Sequence, residues 1–496
     1  MKQVTVAIAL LICAATLFAS GANEGGQAGE PTETREVSWH YLGGKQQDEE
    51  MVWAAINEEL EAREGIRVDF QRSDWGAYED RMNVMLASGE PMDIVFTANW
   101  QNNFYERVAN GAFLPLNELL EEHAPALLRS LPDFLLMAGE VDGTIYAVPN
   151  YQTIVTQHAL ATTQELADEY DLDVDYIRAG EDIIDQISRL EPYLRAIHEG
   201  EPDLYPYNPM FLFYGIWEQV PGTPINIRLE GDEFEVLEKA EGDAIKQRYD
   251  EIYRDWLREG LIREDIATVQ NVQADIDQLR YGVWRTGYKP GIETELEIQY
   301  GRPMLVIPLA EAYVSARAGD GTMNAITVNS KEPEAAVRVL EVFNTDVEMY
   351  NMLVFGIEGV HYNKVGTNRI EQIRDDSGNS AYHPNTAWLF GNQFNAYLLP
   401  GQPDDLWEVT DELNRTANVS PIRGFLPDIE PVKNLIAQHS AADEEYWGSE
   451  WLYLDDDARY EAMQQERYEK TMAAGYPEIR QEIVRQLEEW LALTGR

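Results

Sequence analysis

Aromatic side chains stand beside amides and glycines at several places where the chain is predicted to turn. These stretches are SDWGAY at 73–78, TANWQNNF at 97–104, VPNYQ at 148–152, YGVWRTGYKPG at 281–291 and WLFGNQFNAY at 388–397. Ring faces can stack on the C–H patches of a sugar, and amides can bind its hydroxyl groups. The 12 Trp and 26 Tyr residues supply more ring surface than a core of this size requires. The clustering favours a carbohydrate site, although any one of these rings could equally be a core residue.

The chain lacks the common signatures of catalytic and metal sites. Its seven histidines stand at positions 40, 123, 158, 198, 361, 383 and 439, without a pair at metal-ligand spacing, and no HExxH, GxxxxGK or GxSxG sequence occurs. Asp171, Asp173 and Asp175 alternate as at the start of a calcium loop, but Tyr176 occupies the position that requires glycine. We therefore predict no metal and no cofactor.

Carboxylate pairs do not identify an enzyme either. A glycosidase needs two carboxylates about 5 to 9 Å apart, and 88 acidic residues make some such pair inevitable by chance. No local pattern distinguishes one pair from this background. We predict a protein that is not an enzyme, and a secreted carbohydrate-active enzyme remains the alternative from another class.

The charge of the chain is strongly negative. The 88 acidic residues face 38 basic ones, which gives a formal net charge of -50. Such a surface repels phosphate backbones, so nucleic-acid binding is excluded. Abundant carboxylates keep a protein soluble in strong salt, where their mutual repulsion is screened. We expect a halophilic-like acidic surface; unfolding on dialysis into low salt would support this expectation, and indifference to salt would contradict it.

The first residues have the order of a secretory signal peptide. Lys2 precedes an apolar run from Val4 to Phe18, and small residues follow. The run is too short to span a bilayer, so we predict a signal peptide over 1–22 and a flexible linker over 23–36. The mature protein is then expected in a periplasm or outside the cell.

The single cysteine, Cys13, lies inside the segment predicted to be removed. Disulfides, cysteine metal sites and cysteine nucleophiles are therefore excluded from the mature protein. A lipid anchor would need a small residue just before the cysteine, whereas Leu10, Leu11 and Ile12 precede it. We predict a protein that is secreted without a lipid anchor.

Hydrophobic periodicity predicts alternating strands and helices at the start of the fold. Strands are predicted over 37–41, 65–71 and 93–98, with helices over 48–64 and 78–90 between them. This order is typical of a sheet with helices on its faces, so the fold class is α/β. Longer helices are predicted over 181–200, 242–260, 333–343 and 348–356, and through the last fifty residues.

Three stretches carry a family resemblance. They are WGAYEDRMNVMLASGEPMDIVFTANW at 75–100, NGAFLPLNELLEEHAP at 110–125 continued by GTIYAVPNYQ at 143–152, and MNAITVNSKEPEAAVRVLEVFNTDVEMYNMLVFGIEGVHY at 323–362. With PVKN near 431, they make the chain resemble the extracellular solute-binding proteins of ABC importers, the group that includes maltose-binding protein. Within that group the chain is most similar to the oligosaccharide-binding, lipoprotein-like subfamily.

The resemblance implies a two-lobed periplasmic-binding-protein fold of type II, with lobes joined by hinge crossings. Lobe 1 is expected to comprise 37–150 and 315–358, and lobe 2 to comprise 151–314 and 359–496. The resemblance further implies a monomeric receptor that binds a carbohydrate, in particular an oligosaccharide, between the lobes and delivers it to permease subunits. A receptor for a peptide or another polar solute is the alternative within the same fold.

The resemblance also places ligand-binding residues at the strand ends and crossings. Together with Trp75 from the aromatic pattern, the predicted set is Trp75, Asn99, Trp100, Asn150, Tyr151, Gln152, Trp284, Arg285, Tyr288, His361, Tyr362, Asn392 and Gln393. Arg285 could bind a uronate carboxylate if it lies in the cleft. No catalytic and no metal-binding residue is predicted.

Overall fold

A computed structural model describes residues 34–141, 143–210, 212, 216–230, 233–269, 272–375, 378–446, 453 and 455–494. The predicted signal peptide and all but the last three residues of the predicted linker lie outside these ranges. The first strand already includes Arg35 and Glu36, because the backbone N–H of Arg35 donates to Gly65 and the strand pairs from Arg35 onward. In the described part of the chain, none of the helices has the length and apolar character needed to cross a membrane.

The first third of the chain alternates strands and helices as predicted. Its elements are β1 (Arg35–Leu42), α1 (Glu49–Glu64), β2 (Ile66–Ser73), α2 (Tyr78–Ser88), β3 (Ile94–Thr97), α3 (Phe104–Ala109), α4 (Asn117–His123), α5 (Pro125–Ser130), α6 (Asp133–Leu136), β4 (Glu140–Val141), β5 (Thr144–Ile145) and β6 (Ala147–Pro149). The helices α1 and α2 both end at a glycine in the left-handed conformation, Gly65 and Gly89.

The middle of the chain holds the second group of elements. They are β7 (His158–Thr163), α7 (Gln164–Glu169), α8 (Val174–Arg178), α9 (Ile183–Ser188), α10 (Glu191–Gly200), β8 (Tyr205–Tyr207), β9 (Trp217–Gln219), β10 (Asn226–Glu230), β11 (Glu233–Val236), α11 (Lys239–Arg258), α12 (Val272–Asp277), β12 (Tyr281–Gly287), α13 (Ile292–Tyr300) and β13 (Met304–Pro308). The single helix predicted over 181–200 is two helices, and Pro192 lies in the first turn of the second, where proline is tolerated.

The remaining elements return to the first sheet and end in long helices. They are β14 (Tyr313–Val314), β15 (Met323–Ile326), α14 (Pro333–Thr345), α15 (Val347–Phe355), β16 (Tyr362–Lys364), β17 (Ile370–Gln372), α16 (Leu406–Thr416), β18 (Asn418–Val419), α17 (Lys433–Glu444), α18 (Asp457–Ala473) and α19 (Tyr476–Thr494). The predicted helices over 333–343 and 348–356 correspond to α14 and α15. The carboxylate of Asp456 accepts a hydrogen bond from the N–H of Arg459 and so caps α18.

Two main sheets organise the α/β fold. The first has the strand order β2-β1-β3-β15-β6, with β1, β2 and β3 parallel and β15 antiparallel to both of its neighbours. The second has the order β13-β7-β12-β8. Each sheet has its own apolar core, and the core of the first contains Trp39 and Phe96 whereas that of the second contains Leu160 and Trp256.

The chain passes between the sheets at two places. It leaves the first sheet after β6 and enters the second at β7, and it returns between β13 and β15. The two passages touch each other, because Thr156 and Tyr313 exchange backbone hydrogen bonds. The second passage also carries β14, which pairs with β18. These two segments correspond to the crossings expected between the lobes.

The packing of residues 362–397 bears on where the first lobe ends. Buried side chains from Tyr362 to Tyr397 belong to the apolar core of the first sheet. Phe390, for example, contacts both Trp39 and Tyr41 edge-on, with ring centroids 5.4 and 5.1 Å apart. The sequence division had assigned 359–496 to lobe 2. We propose that lobe 1 extends through this segment, and that lobe 2 takes up the chain after it.

Two buried histidines predict a specific dependence of stability on pH. Burial and the charge of Arg81 lower the pKa of His40 to about 4, and burial and the charge of Arg285 lower the pKa of His158 to about 4. Since the unfolded pKa is near 6.5, the unfolded chain takes up protons first as the pH falls, and stability present above pH 6.5 is lost toward pH 4. Between pH 7 and 5 we expect each histidine to remove about 2 kcal/mol from the free energy of unfolding.

Urea unfolding of the wild-type protein and of a His40→Gln variant at pH 7 and 5 measures this effect. The variant should lose less stability over that interval than the wild-type protein does. An equal loss in both proteins would show that His40 is not involved.

Candidate functional site

The carboxyl end of the first sheet collects side chains from separate parts of the sequence. Trp75 follows β2, Asn99 and Trp100 follow β3, and Asn150 follows β6. The antiparallel strand β15 begins at the same edge, so the loop that precedes it, 315–322, joins them. Strand ends of open α/β sheets form the crevices in which such folds bind ligands. A ligand site is therefore expected at this edge.

Three indole rings form a continuous row at this edge. Trp388 stacks on Trp75, with ring centroids 6.0 Å apart and planes at 29°, and it contacts Trp100 at 6.3 Å and 46°. The two outer rings are 44% and 48% exposed, which is unusual for tryptophan, whereas Trp388 is partly buried between them. We call Trp75, Trp388 and Trp100 the tryptophan row. Such a surface offers ring faces to a ligand without a conformational change.

Packing and hydrogen bonds fix the tryptophan row. Trp100 Nε1 donates to the carbonyl oxygen of Gly321 at 2.8 Å, and its ring contacts the buried ring of Phe96. Trp388 lies on the 3-10 turn Ala387–Leu389, whose last residue is fully buried. The carbonyl oxygen of Leu389 accepts a hydrogen bond of 2.7 Å from Asn150 Nδ2. The row is thus anchored to both the sheet and the returning crossing.

A polar cavity of about 540 Å³ adjoins the tryptophan row. It lies between the two crossings and the turn after β9, and its lining residues are Asn99, Asn150, 152–156, Glu218, Gln219, Pro221, Gly222, Ser315 and 317–322. Most of these are amides, hydroxyl residues and backbone groups. The volume falls within the range of small-molecule sites in proteins. The cavity receives walls from elements on both sides of the crossings.

Asp320 is the charged centre of the cavity wall. Its carboxylate is almost fully buried and accepts hydrogen bonds from Asn99 Nδ2 at 2.5 Å, Tyr105 Oη at 3.2 Å and Arg317 Nε at 2.7 Å. Burial raises the pKa of the Asp320 carboxyl, and the Arg317 guanidinium and the hydrogen bonds oppose that shift. The loop that closes the cavity is therefore held to lobe 1 through one acid.

Glu218 holds the same loop from the other side. Its carboxylate is buried and accepts hydrogen bonds from Tyr313 Oη at 2.7 Å, the N–H of Ala316 at 2.6 Å and Ser420 Oγ at 2.7 Å. Arg423 adds a third tie, because its guanidinium donates to the carbonyl oxygens of Ser315 and Phe134. The crossing is therefore a hydrogen-bonded part of the cavity wall.

Several residues predicted from the sequence lie at this site. Trp75, Trp100, Asn99, Asn150 and Gln152 line the tryptophan row or the cavity. Gln152 Nε2 donates to Thr322 Oγ1 at 2.8 Å, so one crossing contacts the other inside the cavity.

Three further predicted residues form the support behind it. Tyr151 is buried, and its hydroxyl donates to Asp411 while its ring packs on Phe394. Asn392 and Gln393 contact Tyr151 through the backbone, and Asn392 Oδ1 caps the turn at Phe394. These contacts hold the segment that carries Trp388 against the first crossing.

The other predicted residues lie elsewhere in the molecule. Trp284 is buried in the core of the second sheet against Tyr300, and Tyr288 packs on the same core. Arg285 is exposed on β12, outside the residues that line the cavity. His361 is buried and accepts from the N–H of Ile357 at 2.9 Å, and Tyr362 lies in the first core. The structure does not bring these five to the tryptophan row.

Trp388 and Asp320 belong to the site although the sequence did not single them out. Trp388 is the first residue of WLFGNQFNAY, one of the stretches in which aromatic side chains stand beside amides. Asp320 stands in AGDGTM, between two glycines, and one acid among 88 acidic residues gave no local reason for its selection.

The chain is similar to known proteins in both sequence and fold. Residues 44–157 match the family model described as bacterial extracellular solute-binding protein. A carbohydrate ABC transporter substrate-binding protein of Streptococcus pneumoniae serotype 4 is 26% identical over 416 residues, which cover 81% of this chain and 80% of that protein. The predicted family resemblance is confirmed.

Solved structures of solute-binding proteins share the fold. The crystal structure of NgtS, an N-glycan transport solute-binding protein from Streptococcus pneumoniae, matches with a TM-score of 0.80 at 24% identity, over 92% of this chain and 99% of that one. The alginate-binding protein AlgQ2 matches with a TM-score of 0.58 at 16% identity, over 92% and 98% of the two chains. At these identities the likeness concerns the fold, and it confirms the predicted two-lobed α/β architecture of the solute-binding family.

Proposed function

We propose that this chain is the extracytoplasmic receptor of an ABC importer and that it binds an oligosaccharide along the tryptophan row and in the adjoining cavity. The observation that carries the proposal is the contact of three indoles, two of them half exposed, beside a polar cavity of about 540 Å³. Indole faces stack on sugar rings, and amides and hydroxyls bind the hydroxyl groups between them.

The relatives support the same ligand class. The Streptococcus pneumoniae relative is a carbohydrate transporter's binding protein, and crystal structures of NgtS with Man1GlcNAc and Man5GlcNAc share this fold with TM-scores of 0.73 and 0.70. In this function the protein acts as a monomer, and binding energy shifts an equilibrium between open and closed lobes that the permease recognises. The cavity's position on the crossings fits this role, because a ligand there contacts the moving segment directly.

A thermal-shift screen with a panel of glycans tests the proposal. A glycan that binds only the folded state raises the melting temperature, and at a concentration of 100 Kd it adds about 2.7 kcal/mol of stability. We expect at least one oligosaccharide to raise the melting temperature while chromatography recovers it unchanged. Turnover of the bound glycan would support the enzyme alternative, and a shift with peptides alone would support a different polar solute.

A further inference from the structure

We propose that the cavity and the tryptophan row select uncharged oligosaccharides and exclude chains of uronic acids, because the charges of the cavity wall are already paired within the protein and leave no surplus of positive charge for a ligand carboxylate. This inference rests on the proposed function and names the chemical class of its ligand. It differs from the expectation raised by Arg285, whose guanidinium lies outside the lining of the cavity.

Both acidic and basic side chains line the cavity. Among the described residues that line it, Arg317 is the one cation, whereas Glu218 and Asp320 are both acids. A uronate entering this space would approach two carboxylates and the Arg317 guanidinium. A second guanidinium, that of Arg423, lies behind the lining and donates to the carbonyl oxygens of Ser315 and Ala318. The whole protein carries a formal net charge of -50 and adds a long-range repulsion of anions.

Arg317 is already paired with an acid of the protein. Its Nε donates to Asp320 Oδ2 at 2.7 Å, and the guanidinium carbon lies 4.8 Å from the centre of the Tyr105 ring. Asp320 is 1% exposed, so it cannot leave the pair for water without opening the loop. A ligand carboxylate on the other N–H groups of Arg317 would lie beside the buried Asp320 carboxylate, which already balances the guanidinium charge and repels a second anion.

Hydrogen bonds fix the Glu218 carboxylate in the cavity wall. Its two oxygens accept hydrogen bonds from Tyr313 on β14, from Ala316 just after β14 and from Ser420 just after β18. These donors keep the negative charge fixed in the wall. Two carboxylates forced close together in a partly buried site disfavour each other's ionised form. Binding of an ionised uronate beside Glu218 would therefore cost free energy.

The groups that remain for a ligand are uncharged. Gln152, Thr156 and Thr322 place an amide and hydroxyl groups along the lining, and the indoles of the tryptophan row contribute ring faces. Amides and hydroxyls can both donate and accept, which suits sugar hydroxyls and gives no special preference to an anion. The chemistry of the wall thus matches a neutral glycan.

Calorimetric titration with a chemically matched pair of ligands tests this selection. Manno-oligosaccharides and mannuronate oligosaccharides of the same length and β-1,4 linkage differ only in the exchange of a hydroxymethyl group for a carboxylate. We expect the Kd for the neutral chain to be at least tenfold lower, both at low and at high salt. If the mannuronate chain binds as tightly as the neutral one, the selection is disproved while the receptor function stands.

A wider panel separates this inference from the proposed function. Gluco-, galacto- and manno-oligosaccharides are titrated together with their uronate counterparts. Binding limited to neutral members supports both proposals, and binding limited to uronates contradicts the selection alone. If no glycan of either class binds, the receptor proposal fails and the inference falls with it.

Two variants at one exposed position show whether wall charge is the cause. Gln219 is exposed at the end of β9 and lines the cavity, so a change there carries little risk to folding. Gln219→Lys adds a cation and is expected to improve the Kd for the uronate chain at least threefold relative to the neutral chain. Gln219→Met, a matched variant without charge, should leave that ratio as in the wild-type protein. Equal ratios in all three proteins would overturn the electrostatic explanation.

Discussion

Replacing Trp388 with alanine is expected to weaken oligosaccharide binding about 30-fold, which corresponds to about 2 kcal/mol. Trp388 is the middle ring of the tryptophan row and contacts both outer rings. Its removal takes away one stacking face and also leaves Trp75 and Trp100 without the ring that holds them in a row. Both losses act on the ligand, so the effect should exceed that of removing either outer ring.

Isothermal titration with the best ligand from the glycan panel measures this loss. Trp388→Phe keeps a ring at the position and should lose less affinity than Trp388→Ala. Tyr176→Ala is the matched control, because Tyr176 is a half-exposed aromatic residue on α8 that belongs to neither the tryptophan row nor the cavity lining. A Trp388→Ala protein that is folded and binds with the wild-type Kd would disprove the role of the tryptophan row.

The position of the row explains why a strand-end tryptophan could be interpreted from the sequence. Trp100 follows the apolar run Ile94–Thr97, and a buried strand must deliver the next residues to the edge of its sheet. The same reasoning places Trp75 after β2. Since parallel strands end at one edge, both rings lie at the same edge of the first sheet, where Trp388 contacts each of them.

The same signal was misleading where an aromatic lies inside a strand. YGVWRTG has an aromatic, a glycine and a cation in a row, but it forms β12, which is paired with both β7 and β8. A strand with neighbours on both sides buries its first residues, from Tyr281 to Trp284, in the second sheet. Local composition does not distinguish such a strand from a turn, because strand pairing depends on residues more than seventy positions away.

Long-range packing also decided the segment 362–397. Its strands β16 and β17 and its turns are short, and their hydrophobic pattern does not indicate which of two cores they join. The structure shows Phe390 against Trp39 and Tyr41, so the segment closes over the end of the first sheet. Trp388 reaches the tryptophan row only because of that return, which is why its role was not foreseen.

Asn324 connects the core to both parts of the site. It is almost fully buried on β15, accepts a hydrogen bond from Trp39 Nε1 at 3.0 Å and donates to Asn150 Oδ1 at 3.0 Å. Asn150 in turn donates to the carbonyl oxygen of Leu389, next to Trp388. One amide therefore sets the position of a cavity residue and, through it, of the middle indole.

We expect Asn324→Leu to lower the free energy of unfolding by about 3 kcal/mol. The substitution leaves the indole N–H of Trp39 and the side-chain oxygen Oδ1 of Asn150 buried without these hydrogen-bond partners. Asn57→Leu is the matched control. The buried Asn57 side chain on α1 hydrogen-bonds the N–H and the carbonyl oxygen of Val68 on β2, and it lies outside the tryptophan row and the cavity lining. Urea unfolding should show similar losses in the two variants, whereas titration well below their melting temperatures should show weakened glycan binding in Asn324→Leu only. Equal binding in both would mean that the amide supports the fold without positioning the site.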